Sequence, residues 1–126
     1  MTDTYVYLIR EQDWDSDAFL AGAQRTGEDD TFAQHGAFAE AAARLGARIV
    51  QGAALQNARH GGVVTPGDGE RAVEDAVWTD SPYADSSELI TGFYEIEVAD
   101  EEMARHVAAL VPTGSTVEWR KVFPTG

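Results

Sequence analysis

Cysteine is absent from the 126 residues. That rules out disulfides, thiolate metal sites and a cysteine nucleophile, and fits a reducing, cytoplasmic compartment. Basic residues are scarce: nine Lys and Arg stand against 22 Asp and Glu, for a formal net charge of −13. Such a surface repels phosphate backbones and anionic lipid, so neither nucleic acid nor membrane is expected as a partner. Long hydrophobic runs are also missing, since no apolar stretch approaches the ~20 residues of a membrane span. No serine-hydrolase elbow, Walker loop, dinucleotide fingerprint or His-x-x-x-His pair occurs, so the common hydrolase, nucleotide and zincin chemistries fall away. Asp13, Asp15 and Asp17 have the spacing of a calcium loop, but Ala18 replaces its turn glycine and Gln24 its closing glutamate. No metal and no cofactor is therefore expected.

What is present suits one α+β domain over residues 1–126, with one core. Thr4 to Arg10 is a strand with apolar residues on both parities, Tyr5, Tyr7 and Ile9 against Val6 and Leu8, which predicts burial on both faces. Glu11 to Asp30 is crowded with acids and reads as a solvated loop insertion. A helix capped by Asp30 or Thr31 then runs to Leu45, with Gly46 at its left-handed stop. Its apolar stripe, at 100° per residue, holds Phe32, His35, Phe38, Ala39, Ala42 and Leu45. Strands follow over Arg48 to Leu55, Val63 to Thr65 and Arg71 to Trp78, the last two joined by the turn Pro66 to Gly69. Leu89 to Val98 alternates Tyr94, Ile96 and Val98 with Phe93, Glu95 and Glu97. Asp100 caps a second helix with Met103, Val107 and Leu110 inward, and Thr116 to Phe123 closes the chain.

The order β-α-β, hairpin, β-α-β predicts a ferredoxin-like split βαβ with an inserted hairpin: an antiparallel sheet with two helices on one face. The other face then needs a cover. A second copy of the sheet, giving a homodimer, is the economical solution, and an exposed ligand-binding face is the alternative.

The run WTDSPYADSSELITGFYEIEV, Trp78 to Val98, resembles the signature of the YCII-related proteins, especially their DGPF branch. Asp80, Pro82, Tyr83, Glu88, Gly92 and Tyr94 match that pattern in place, with Ser81 and Tyr83 where the family usually has Gly and Phe. His35 and the stretch GARIVQGAAL from Gly46 to Leu55 are similar to the family's helix histidine and the strand after it. The resemblance implies a dimeric α+β barrel, related in shape to muconolactone-type enzymes, and a His35/Asp80 pair.

Imidazole titrates near neutrality, and a titratable ring within an apolar stripe costs desolvation unless a partner is supplied. His35 is thus either a buried histidine satisfied by a structural hydrogen bond or an acid–base group oriented by Asp80. Trp78 and Tyr83 flank Asp80 and would help to frame a small-molecule substrate, with His60 beside Gly61 and Gly62 as a further lining candidate. The remaining aromatics, Phe93, Tyr94 and Trp119, fit core or interface positions as well as a stacking surface. Two functions stay open. One is a cofactor-independent lyase or isomerase using His35 and Asp80. The other is a non-catalytic ligand-binding or regulatory module, as the family's association with sigma-factor systems suggests.

Overall fold

The computed structural model describes residues 2–12, 25–69, 71–79 and 89–124. Its elements in chain order are β1 (Asp3–Glu11), α1 (Arg25–Arg44), β2 (Arg48–Ala54), β3 (Val63–Thr65), β4 (Val77–Thr79), β5 (Leu89–Val98), α2 (Glu101–Leu110) and β6 (Thr116–Lys121). Short 3-10 turns at Ala58–His60 and Val73–Asp75 lie in the connections. Four strands form one antiparallel sheet in the order β2-β5-β1-β6, and β3 pairs with β4 in a separate two-stranded ladder. The chain is α+β, with a strand order compatible with a ferredoxin-like fold.

Strand alternation decides which side chains meet the helices. On β1, Tyr5, Tyr7 and Ile9 are buried while Val6 and Leu8 are half-buried on the other face. The register Gly52–Tyr94–Tyr7–Trp119 runs across all four strands, so an aromatic row crosses the helix-covered face and ends on a glycine of the edge strand β2. Phe38 and Ala42 of α1 and Ala104 and Val107 of α2 pack with Tyr5, Tyr7, Ile9, Ile96 and Val98 in one core. Both helices therefore cover the same face. Gly46, at φ +89, is the left-handed stop expected after α1, and the Asp100 side chain caps α2 by accepting from the Met103 N–H at 2.9 Å.

Several expectations shift. The first helix begins at Arg25, not at Asp30. Residues 28–30, which suggest a loop, belong to this helix. Ala39 faces outward, because it lies about 100° around the helix from Phe38. In α2 Met103 and Val107 turn to the core as expected, joined by Ala104 and by Val111 at the cap, while Leu110 is exposed. The strand expected over Arg71 to Trp78 is only Val77–Thr79. Arg71 takes a left-handed φ of 61° and the chain then coils through Val73–Asp75, which breaks the extended run. At the far end, β6 stops at Lys121 and leaves Phe123 exposed. The expected acidic loop from 13 to 24 lies outside the described residues, as do the aspartates with calcium-loop spacing.

The face away from the helices carries Val6, Leu8 and Phe93, with Leu8 directly opposite Phe93. Charged groups border this apolar row: Arg10 and Arg120 both bond Glu118, at 3.2 and 2.7 Å, and Arg48 bonds Glu97 at 3.2 Å. These pairs are at least partly exposed and contribute little stability each. No helix among the described residues is long and apolar enough to cross a membrane.

Candidate functional site

His35 sits midway along α1, on the side turned to the sheet, and its ring is half-buried. Its Nδ1 is hydrogen-bonded to the Tyr94 hydroxyl at 2.7 Å. Tyr94 reaches it from β5, 59 positions away in sequence, because alternation puts residue 94 on the helix-covered face. Phe38, one turn after His35, packs its ring on the same tyrosine at a centroid distance of 5.1 Å, and the His35 and Tyr94 rings lie 5.8 Å apart. The pair is thus held by tilted ring contacts as well as by the hydrogen bond.

The sheet beneath is shaped to admit the tyrosine. Gly52 of β2 faces Tyr94 across the ladder, and a Cβ built there would lie 2.8 Å from Tyr94 Cδ1 and 2.9 Å from the Phe93 carbonyl. The Tyr94 ring lies where a side chain at 52 would stand, which shields the edge-strand glycine.

Burial governs the electrostatics. Desolvation lowers the His35 pKa below its usual 6.5, opposed by the negative charge of Glu11. Desolvation likewise raises Tyr94 above its ordinary 10.0. Both groups are neutral at pH 7. Glu11, at the end of β1, itself accepts from the Gly114 N–H at 3.3 Å. The arrangement is a neutral imidazole whose orientation is set by one hydroxyl, near one carboxylate.

Two of the other sequence candidates are described. Trp78 lies on β4 opposite Val64 and is 65% exposed. His60 ends the 3-10 turn between β2 and β3, is exposed, and donates its backbone N–H to the Asn57 carbonyl at 2.9 Å. Asp80 and Tyr83 lie outside the described residues. The partner that the structure supplies to His35 is Tyr94. Reasoning from sequence left that residue open between a core or interface position and a stacking surface, and did not pair it with His35. The signal that finds it is a tyrosine on a buried strand face, whose hydroxyl must be satisfied somewhere. No group of three or more His, Asp or Glu among the described residues is placed to hold a metal. An open groove of about 620 Å³ lies at the opposite end of β1, lined by Asp3, Tyr5, Glu101, Trp119, Arg120 and Lys121. Asp3 and Lys121 pair within it at 3.5 Å.

No protein-family model matches the chain, and no curated protein matches it.

Proposed function

We propose that the chain is a small acid–base enzyme of the lyase or isomerase type, acting without a cofactor on a small organic substrate at His35. The observation that carries this reading is the 2.7 Å bond between His35 Nδ1 and the Tyr94 hydroxyl on a half-buried ring. An acid–base group is most effective when its geometry is fixed by a partner, and the Tyr94 hydroxyl fixes that of His35. The YCII-related resemblance adds Asp80 as a second group toward His35, with Trp78, Tyr83 and His60 framing the substrate. The test is conversion of a panel of small ketones, unsaturated acids and halogenated acids, followed by NMR. The expected result is a compound consumed by the wild type and left untouched by a folded His35→Ala variant. Undiminished turnover in that variant would sink the proposal.

A homodimer belongs to the same reading. The Val6, Leu8 and Phe93 row on the uncovered face supports packing of two sheets into a dimeric α+β barrel in the cytoplasm. Leu8→Glu is expected to convert a dimer to a monomer in sedimentation. The exposed Trp78 favours a second reading, a non-catalytic binding or regulatory module that contacts another protein. Ligand binding without chemical change, in wild type and His35→Ala alike, would favour that module.

A further inference from the structure

Which ring nitrogen of His35 carries the proton decides what the site can hold, and the Tyr94 bond is the contact that bears on it. A neutral imidazole has one donor and one acceptor, and a tyrosine hydroxyl has one hydrogen to donate. Were Nδ1 the donor to Tyr94, the hydroxyl hydrogen would need an acceptor of its own. Among the described residues the bond given to the Tyr94 hydroxyl is the one to Nδ1. Donation by the hydroxyl to Nδ1 satisfies both atoms with one bond. The imidazole hydrogen then sits on Nε2. Gly52 is part of this device, because a Cβ 2.8 Å from Tyr94 Cδ1 would drive the ring off its seat and carry the hydroxyl away from Nδ1.

We propose that His35 stands as its Nε2–H tautomer, with Tyr94 as the positioning residue and Gly52 as its seat. The tautomer stands or falls apart from the acid–base reading above. With Nδ1 taken by the Tyr94 hydroxyl, Nε2–H is the ring atom left to donate, and within a reaction such a neutral donor stabilises negative charge developing on an oxygen.

The tautomer is read by 15N NMR of histidine-labelled protein at pH 8, with the His35 signals identified by their loss in His35→Gln. A pyridine-type shift at Nδ1 and a pyrrole-type shift at Nε2 are expected in the wild type. Tyr94→Phe is expected to move both toward the mixed-tautomer average, with His60 and His106 unchanged and the amide spectrum still that of a folded protein. A proton on Nδ1 in the wild type overturns the assignment without any variant, and a Tyr94→Phe spectrum identical to wild type overturns the positioning role. Conversion that survives His35→Ala overturns the catalytic reading instead and leaves the tautomer measurement standing.

Discussion

Gly52→Ala and Gly36→Ala make the same chemical change with opposite expected signs. At Gly52 the new methyl would lie 2.8 Å from Tyr94 Cδ1 and 2.9 Å from the Phe93 carbonyl oxygen. Both distances are inside normal contact. The ring can swing away only by leaving His35, and the carbonyl belongs to the β2–β5 ladder and cannot move without straining it. Overpacking of this kind costs about 1 to 3 kcal/mol, and losing the Tyr94–His35 bond adds about 1 kcal/mol. Against that stands the gain of about 0.5 to 1 kcal/mol that alanine brings over glycine within a strand. The net is a destabilisation of about 1 to 3 kcal/mol. With a urea dependence of about 1 to 3 kcal/mol per molar for small proteins, the unfolding midpoint should fall by roughly 1 M. Gly36 lies inside α1 with nothing within 4 Å of a built Cβ, so alanine there should stabilise by about 0.5 to 1 kcal/mol through helix propensity alone. Urea titrations of the two variants beside wild type decide the matter. A Gly52→Ala midpoint at or above wild type would refute the claim that Tyr94 is seated on the bare backbone at 52.

Three further outcomes follow from the same contacts. The buried Tyr7 hydroxyl donates to the Ala104 carbonyl at 3.0 Å, so Tyr7→Phe should cost about 1 kcal/mol in urea unfolding. Burial, with a smaller effect of Tyr5, pushes the Tyr7 hydroxyl from 10.0 up to about 12. Because the folded value is the higher, this contribution is whole below pH 10 and is lost as pH rises toward 12. Tyr7→Phe should therefore flatten the alkaline fall in stability. His35 has the lower value in the folded state, so the unfolded chain binds the proton more readily and stability declines as pH drops below about 6.5. His35→Gln should reduce that slope in thermal unfolding between pH 7 and 5. Asp100→Ala removes the acceptor for the Met103 N–H and should cost about 1 kcal/mol, read by thermal unfolding with circular dichroism.

The sheet was legible because its strands carry their own address. Leu89 to Val98 alternates so cleanly that its bounds and its inward face, Tyr94, Ile96 and Val98, can be read off the residues. Gly46 and Asp100 mark helix ends through backbone chemistry that needs no tertiary context. Two places resisted for physical reasons. The acids at 28–30 suit a solvated loop and the first turns of a helix equally well, since both favour negative charge. The run after Arg71 has strand-forming residues, but the left-handed φ at Arg71 is a local choice that side-chain propensity does not report.

The site was half legible, and the missing half is a matter of hydroxyl accounting. Alternation alone places Tyr7 and Tyr94 on one buried face, and the register makes them direct neighbours on β1 and β5. Two hydroxyls facing the helices cannot both be left dry, since an unsatisfied buried donor costs about 1 to 3 kcal/mol. Each helix answers one of them. Tyr7 donates to the Ala104 carbonyl of α2, and Tyr94 bonds the His35 ring of α1. A backbone carbonyl is an acceptor at every pH, whereas an imidazole stops being one when it gains a proton. The two tyrosines therefore do different things from equivalent positions. Tyr7 pins α2 to the sheet by one fixed donor–acceptor pair across the neutral range, whereas the Tyr94–His35 bond must reverse its direction when the imidazole gains a proton. A stabilising fixture would have been served by a second backbone carbonyl. The titratable partner at the second position is what makes His35 and Tyr94 a candidate for chemistry.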